Sequence, residues 1–427
     1  MPDFLLSIIL IVAVVAIFNL IIFVHELGHF LAARWRGLQV DRFQIWFGKP
    51  LWKKTINGVQ YGLGWLPAGG FVSLPQMAPM EMVEGERVDE GRDLPPIKPI
   101  DKIIVAFAGP LFSFLFAVVA ALIVWGVGKP RDIIADTTLG YVEAGSPAEA
   151  AGLQVDDQIL AIDGEPVEVF GGNLNGVMEK IMMSEDEQIR LQVKRGEEVL
   201  SVTTDYKSPE AGGLFKRKGL RSIGVWVRNE AKVGKLSPNG PAEKAGLQLG
   251  DVVTAINGQP VTSDRVIYQF LKDWEEKEVS LQVRRGEEEL ELTLVPQHPT
   301  NLQTGEKLTE RPVMLGVYFE TGEYDEQIYH PTAWEQIAES ATMMWVTISK
   351  VASKGSDVGV EHLSGPVGIG NVMWQIIQTE NGWKRLLFFM VLFNVNLAIL
   401  NMLPLPVLDG GHILLSFLEM IAGRPVQ

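Results

Sequence analysis

The 427-residue sequence contains no cysteine. That absence excludes a disulfide framework, a zinc site built from thiolates and a cysteine nucleophile. Any bound metal must therefore be held by histidines and carboxylates. Basic residues are also scarce, because 37 Lys and Arg stand against 52 Asp and Glu, which gives a net charge of -15. No cluster of Lys and Arg suggests a surface for nucleic acid, so we expect no nucleic-acid partner.

Charged residues are nearly absent from three long stretches of the chain, residues 4–24, 103–127 and 386–408. Crossing the hydrocarbon core takes about 20 apolar residues. The sequence therefore predicts a polytopic α-helical membrane protein. A cleaved signal peptide fits the first stretch poorly, because a signal peptide needs a basic start and a shorter apolar core.

The bias of basic residues predicts the orientation of these spans. Arg34, Arg36, Lys49 and Lys53 follow the first stretch, whereas the residues before it offer only Asp3. Loops rich in Lys and Arg stay in the cytoplasm. We therefore expect the loop after the first span to be cytoplasmic and the long stretch between the second and third spans to be external.

That external stretch contains an internal repeat. Residues 147–167 align without gaps to residues 241–261, with 13 of 21 positions identical. Both copies resemble bacterial, circularly permuted PDZ domains, which are mixed β/α modules. We expect two external PDZ domains, at 129–222 and 223–325. Such domains bind extended peptides by adding a strand to a sheet edge; the alternative is that both are spacers without a ligand.

A third organised piece lies between the first two spans, at residues 36–75. It holds many aromatic residues and an Asn57-Gly58 dipeptide flanked by alternating apolar residues, which is a hairpin signal. One interpretation is an interfacial hairpin with an aromatic belt. The other is a membrane-associated sheet whose edge accepts an extended substrate. The Pro-, Met- and acid-rich residues 76–102 are predicted to be a connecting loop.

The motif with the clearest chemistry is His25-Glu26-Leu-Gly-His29. On a helix, His25 and His29 lie on one face, so both imidazoles can reach one zinc ion. Glu26 stands beside them, where it can polarise a bound water. Ionisable residues at the end of a membrane span are costly and are functional by default. The competing interpretation is a pair of interfacial histidines with a solvated glutamate.

A catalytic zinc site needs a third protein ligand. Asp409 is the leading candidate, because it closes the third apolar stretch on the same predicted side of the membrane as the histidine pair. Prolines at 404 and 406 would bend the chain and let it reach inward. His412 is the next candidate, and the remaining histidines are His298, His330 and His362. Three asparagines of the same stretch either bond between helices or hold a substrate backbone: Asn394, Asn396 and Asn401.

Taken together, these motifs resemble the site-2 protease family of intramembrane zinc metalloproteases, in its bacterial RseP type. The resemblance rests on His-Glu-x-x-His, Phe107-Ala-Gly-Pro110, the tandem PDZ pattern, Leu363-Ser-Gly-Pro366 and the segment Asn401 to Gly410. It implies a Zn2+ cofactor held by His25, His29 and Asp409, with Glu26 as general base. It also implies a set of residues near the substrate: Asn401, Pro404, Pro406, Gly69 and Gly70.

Two features depart from the family pattern. Ser113 stands where an asparagine is usual, which puts any role of that side chain in doubt. The family also carries a further membrane helix after the Leu-Asp-Gly motif, and residues 413–427 are too few for it, so we expect that a fourth helix is missing from this sequence. The predicted segments are 1–35, 36–75, 76–102, 103–128, 129–222, 223–325, 326–385 (external, membrane-proximal), 386–412 (third transmembrane helix) and 413–427.

The resemblance implies a zinc-dependent intramembrane endopeptidase in the bacterial inner membrane, with periplasmic PDZ domains and an active site near the cytoplasmic face. Its partners would be membrane lipids and single-pass membrane proteins, such as a trimmed anti-sigma factor or signal-peptide remnants. The PDZ pair would gate their access. The alternative is a membrane-tethered PDZ adaptor with a relict or structural metal site. A serine protease fits less well, since no Gly-x-Ser-x-Gly elbow is present.

Overall fold

The structure is a computed structural model. It describes residues 3–77, 95, 97–131, 133–208, 210–211, 217–218, 220–299, 307–320, 328–353, 355–359, 365–379 and 381–423. Most of the predicted connecting loop at 76–102 lies outside these residues. The chain divides into two compact units. The helical unit comprises Met1–Pro130, Ile328–Ser349 and Leu363–Gln427, and the duplicated unit comprises Arg131–Gln327 and Lys350–His362.

The described residues form both helices and strands. The helices are α1 (Asp3–Arg36), α2 (Pro99–Val127), α3 (Pro147–Ala150), α4 (Val177–Met183), α5 (Pro241–Lys244), α6 (Asp264–Lys272), α7 (Ala333–Ala352), α8 (Pro366–Ile377), α9 (Gly382–Asn401) and α10 (Asp409–Ala422). The strands of the helical unit are β1 (Arg42–Phe47), β2 (Trp52–Ile56), β3 (Val59–Leu63), β4 (Leu66–Ser73), β5 (Lys129–Pro130) and β20 (Ile328–Tyr329).

The strands of the duplicated unit follow the repeat. They are β6 (Leu139–Val142), β7 (Gln158–Ile162), β8 (Glu165–Pro166), β9 (Ile189–Arg195), β10 (Glu198–Thr204), β11 (Glu210–Ala211), β12 (Arg217–Lys218), β13 (Val225–Val227), β14 (Ala231–Leu236), β15 (Val252–Ile256), β16 (Gln259–Pro260), β17 (Val279–Arg285), β18 (Glu288–Leu294) and β19 (Val317–Phe319).

Within the described part of the chain, three helices are long and apolar enough to cross a membrane: Ile8–Arg36, Pro99–Val127 and Gly382–Asn401. The prediction of a third helix over 386–412 is wrong in its extent. The helix ends at Asn401, and Asp409 begins a new helix, α10. Pro404 and Pro406 explain the break, because neither can donate the backbone hydrogen bond that would continue the helix.

Helix α2 is central to the helical unit, since it contacts α1, α9 and α10. Small residues allow the close approach of α1. A Cβ atom added at Gly28 would lie 2.4 Å from the carbonyl oxygen of Ala108. Any larger residue at that position would push the two helices apart, so the glycine in the middle of His-Glu-Leu-Gly-His serves helix packing.

A four-stranded sheet in the order β2-β3-β1-β4 belongs to the same unit. Strands β2 and β3 pair antiparallel about Asn57-Gly58, as the hairpin signal predicts, and both turn residues have positive φ angles, 49° and 83°. Strand β4 pairs with β1 on one side and contacts α1. The sheet therefore brings one edge strand to the helix that carries the histidine motif.

The duplicated unit contains two copies of one arrangement. In each copy, a short helix begins at Pro147 or Pro241 and is followed by a central strand, β7 or β15, which pairs antiparallel with β9 or β17. Each copy has its own apolar core. This equivalence follows from the sequence repeat, because matching apolar positions fall on matching strand faces.

The predicted boundaries of the first copy, 129 and 222, need correction. Strand β13 (Val225–Val227) pairs with β6, and Ile223 lies in the first core, so the first copy extends to Val227. At the other end, β5 (Lys129–Pro130) pairs with β20 of the helical unit. The predicted membrane-proximal segment 326–385 is also divided, since Lys350–His362 belongs to the duplicated unit.

Candidate metal centre

Two helices of the helical unit bring three potential metal ligands together. His25 and His29 project from α1, and Asp409 is the first residue of α10. The two Nε2 atoms lie 3.2 Å apart. Asp409 Oδ2 lies 3.3 Å from His25 Nε2, and Asp409 Oδ1 lies 3.3 Å from His29 Nε2. All three side chains are buried, with 5–7% of each residue exposed.

These separations fit a tetrahedral zinc ion. Ligand atoms about 2.0–2.1 Å from the metal at tetrahedral angles lie about 3.3 Å from one another. The charges fit as well. A carbonyl can only accept a hydrogen bond, so His29 Nδ1, 2.8 Å from the oxygen of Val105, carries the ring proton. In the neutral ring, the lone pair of His29 Nε2 therefore faces a carboxylate oxygen of Asp409, and a cation between them would be bound by both.

The reach of Asp409 depends on two glycines that follow it. A Cβ atom at Gly410 would lie 2.3 Å from the carbonyl oxygen of Met402, and one at Gly411 would lie 2.1 Å from that of Leu405. The start of α10 therefore packs directly on the turn that follows α9. A carboxylate in the first turn of a helix is also favoured by the helix dipole. The two glycines therefore let α10 begin close to that turn, which positions the Asp409 carboxylate beside the two histidines.

A third glycine shapes the histidine side of the centre. A Cβ atom at Gly109 of α2 would lie 2.2 Å from His29 Nε2 and 2.9 Å from His25 Cε1. Both distances are shorter than real contacts allow, so the rings occupy the space that only a glycine leaves. Four residues further along the same helix, Ser113 Oγ lies 3.0 Å from His25 Nδ1.

The centre opens into a cavity of about 130 Å3. Polar residues of α1, α9 and α10 line it together with apolar residues, which include those of β4 and the following turn. The lining residues are His25, Glu26, His29, Phe71, Val72, Leu74, Met77, Ala106, Asn401 and Asp409. The cavity therefore offers polar groups on one side and an apolar strand on the other.

The predicted site residues fall into two groups. His25, Glu26, His29, Asn401 and Asp409 line the cavity, and Asn401 Nδ2 lies 3.2 Å from His25 Nε2. Of the described residues, four predicted substrate-binding residues do not line it: Gly69, Gly70, Pro404 and Pro406. A Cβ atom added at Gly70 would lie 3.7 Å from Glu26 Cγ.

The other histidines lie elsewhere. His412 is buried one turn beyond Asp409, but it is not among the three residues whose ligand atoms converge in the described part of the chain. His298 and His330 donate to the carbonyl oxygens of Arg311 and Trp125 through Nδ1. His362 lies outside the described residues.

Sequence reasoning missed the contribution of α2. Gly109 was noted as part of a motif, and Ser113 was noted as a departure from it. The available signal was their spacing, because residues four apart share one helix face. It could not show that this face lies against the histidines.

The chain is similar along most of its length to known proteins. The model of peptidase family M50 matches residues 13–427. The regulator of sigma-E protease RseP of Escherichia coli K12 is 30% identical over 437 residues, covering 96% of this chain and 90% of that protein. A Vibrio cholerae protein whose name describes a zinc metalloprotease is 28% identical over 439 residues, covering 97% and 91%. Among solved structures, the PDZ domain of an SdrC-like protein from Listeria innocua is 15% identical, covers 22% of this chain and 99% of that chain, and has a TM-score of 0.19.

Proposed function

Because this chain belongs to peptidase family M50, we propose that it is a zinc-dependent intramembrane endopeptidase that cleaves transmembrane segments of single-pass membrane proteins. The observation that carries the proposal is the convergence of His25, His29 and Asp409 at 3.2–3.3 Å. Both histidines, and Glu26 beside them, lie on a helix long enough to cross a membrane. A structural metal site would not need the adjoining cavity, which leaves room for water and a substrate segment.

The chemistry divides between the metal and Glu26. Zinc held by the three ligands would acidify a water molecule and polarise the scissile carbonyl. Glu26 lines the same cavity, so its carboxylate can take the proton of the attacking water. It can then give that proton to the leaving amide nitrogen. Asn401, whose amide faces the same space, can donate a hydrogen bond to a substrate carbonyl.

The substrate must be extended for this reaction, because a helix shields its peptide bonds with its own hydrogen bonds. Strand β4 supports such a pairing. It lies at one end of its sheet, and its residues Phe71 and Val72 line the cavity. A substrate segment that unwinds beside β4 could satisfy its backbone groups on the strand while its scissile bond faces Glu26.

The wider setting of the protein is part of the same proposal. The lysines and arginines after the first span favour an active site near the cytoplasmic face of a bacterial inner membrane, with the duplicated unit outside. A relative is named as a regulator of sigma-E protease, which favours a trimmed anti-sigma factor as substrate, with signal-peptide remnants as a second kind. The duplicated unit would act as a PDZ pair that rejects substrates with bulky external domains.

The test is Glu26→Gln in the full-length protein, with Glu339→Gln as the control. Glu339 is an exposed carboxylate on α7. We expect Glu26→Gln to retain zinc and to lose about 100-fold or more of its cleavage of a model transmembrane substrate, since general acid-base catalysis contributes about 10²–10⁴-fold. Glu339→Gln should cleave normally. Undiminished cleavage by Glu26→Gln would refute the mechanism, and wild-type protein that binds substrate without ever cleaving it would favour the adaptor.

A further inference from the structure

One face of helix α2 lies along both histidines of the metal centre. Val105, Gly109 and Ser113 follow one another at intervals of four residues, so they share this face. The Val105 carbonyl accepts a hydrogen bond from His29 Nδ1 at 2.8 Å, and Ser113 Oγ lies 3.0 Å from His25 Nδ1. Gly109, between them, leaves space for the rings. Each histidine thus has one partner on α2, one turn either side of the glycine.

We propose that Ser113 is the positioning residue for His25. Its hydroxyl oxygen accepts a hydrogen bond from the His25 Nδ1 N–H, and this bond directs the Nε2 lone pair toward Asp409 and His29. The inference rests on the zinc site of the proposed function. An imidazole that binds a metal through Nε2 must carry its proton on Nδ1. The hydrogen bond to Nδ1 therefore fixes both the tautomer and the rotation of the ring.

Burial makes this hydrogen bond hard to replace. Ser113 is fully buried, and His25 is 7% exposed. If the hydroxyl is replaced by an apolar group of similar shape, the N–H of His25 faces that buried group and loses its hydrogen-bond partner. The ring could then rotate, which moves the Nε2 lone pair away from the metal, or change tautomer, which turns an N–H toward it.

The two histidines differ in how they are held. His29 relies on a backbone carbonyl, which any residue at position 105 would supply. His25 relies on a side chain, so a single substitution can remove its partner. A substitution at Ser113 can therefore change the affinity of the site for metal without changing a ligand.

A small packing residue between helices would be an ordinary explanation for Ser113. Valine and threonine separate the two explanations, because their side chains have nearly the same shape and differ in a methyl group or a hydroxyl. Ser113→Thr retains the acceptor, and Ser113→Val removes it. Ser340→Ala is the control for loss of a buried hydroxyl, since Ser340 is fully buried and bonds to Gln336 within its own helix.

The experiment uses the full-length protein in detergent, loaded with zinc, and measures zinc affinity by competition with a chelator. Loss of a hydrogen bond to a ligating histidine costs about 10–100-fold in metal affinity. We expect Ser113→Val to bind zinc at least about 10-fold more weakly than Ser113→Thr. Ser113→Thr and Ser340→Ala should match the wild type. With cobalt in place of zinc, the visible absorption spectrum should change in Ser113→Val alone, because it reports the geometry of the ligands.

Equal zinc affinities and equal cobalt spectra for Ser113→Thr and Ser113→Val would overturn the inference, whether both match the wild type or both are weakened by packing. Wild-type protein that binds no zinc would instead refute the proposed function. The two failures are therefore distinguishable.

Discussion

Buried polar groups are arranged differently in the two units. In the helical unit, two imidazole Nε2 atoms and the carboxylate oxygens of Asp409 lie 3.2–3.3 Å from one another. In the duplicated unit, buried carboxylates are matched by arginines. Asp157 is fully buried and accepts from Arg195, and Asp251 is 1% exposed and accepts from Arg285.

The matched pairs repeat in detail. Arg195 binds both oxygens of Asp157 at 2.7 Å and the carbonyl of Gly152 at 2.8 Å. In the second copy, Arg285 binds Asp251 at 2.7 and 2.8 Å and the carbonyl of Gly246 at 2.8 Å. Two parallel hydrogen bonds between guanidinium and carboxylate form a complete interaction. These pairs therefore stabilise each copy and need no ligand.

The contrast gives a physical criterion for a functional site. A buried charge with its partner in place is explained by the fold. A buried set whose potential ligand atoms all face one another, such as His25, His29 and Asp409, is a candidate metal site, and a cation of about the size of zinc fits the distances. The difference predicts that substitutions in the two units will affect different properties, metal binding in one and stability in the other.

The largest effect is expected from Gly109→Ala. The added methyl group would lie 2.2 Å from His29 Nε2, and the backbone of two packed helices cannot move far enough to admit it. We expect loss of bound zinc and a fall in proteolysis of at least about 100-fold, because a metal-dependent reaction cannot proceed on displaced ligands. Zinc content of the purified protein and cleavage of a transmembrane substrate measure the two losses.

Gly126→Ala is the matched control for this prediction. It lies on the same helix, and nothing lies within 4 Å of a Cβ atom added there. It should keep zinc and activity and gain helix propensity. Normal zinc content in Gly109→Ala would contradict the geometry of the site, whereas loss in both variants would point to disruption of α2 as a whole.

The sequence predicted the parts of this site that depend on local spacing. His25 and His29 are one helical turn apart, so their common face follows from periodicity alone. The position of Asp409 at the end of an apolar stretch makes it a candidate ligand, but the apolar pattern predicts one continuous helix there. The structure ends the helix at Asn401 and starts another at Asp409. Prolines predict a bend, and they do not predict where a helix restarts.

Contacts between distant segments could not be predicted. Asp357 pairs with Arg221 across 136 positions of sequence. Neither a helical spacing nor the repeat relates these two positions, so the sequence does not indicate the contact. The contact between Ser113 and His25 could not be predicted either, because it also joins distant segments. The repeat was different, since its second copy could be read directly from the first. Its predicted boundary at 222 falls before strand β13, whose pairing with β6 is a contact between distant segments.

A second prediction concerns Asp357, which pairs with Arg221 at 3.2 Å. Both side chains are buried, at 6% and 4% exposure. Asp357→Ala leaves the Arg221 guanidinium buried without its carboxylate, and breaking such a pair costs about 3 kcal/mol. We expect faster amide hydrogen exchange in strands β7 and β9 of the first copy, with zinc content unchanged.

Glu230→Ala is the control for this loss. Glu230 pairs with Arg284 at 2.5 Å, but both side chains are about half exposed, and exposed ion pairs contribute about 0–1 kcal/mol. Its hydrogen exchange should match the wild type. Loss of zinc in Asp357→Ala would remove the distinction between the two units, because a structural pair would then control the metal site.

The smallest effect is expected from pH in the second copy. Hydrogen bonds from the Arg285 guanidinium hold the pKa of the Asp251 carboxyl below its usual range. The unfolded chain has an ordinary aspartate pKa of about 3.9. The pair therefore stabilises the copy fully above about pH 4, and this contribution is lost as the pH falls through the lower folded pKa. Hydrogen exchange in β15 and β17 should rise over that acidic range.

Asp251→Asn should remove this pH dependence, because an amide does not titrate. At neutral pH the variant should exchange faster than the wild type, and the two should converge as the wild-type carboxyl becomes protonated. Asp273→Asn, a change at the exposed end of α6, is the control and should follow the wild type throughout. If Asp251→Asn kept the full acid sensitivity of hydrogen exchange in β15 and β17, the matched pairs would not be what stabilises the copies. The two units would then differ in the distances between their buried polar groups and not in what those groups do.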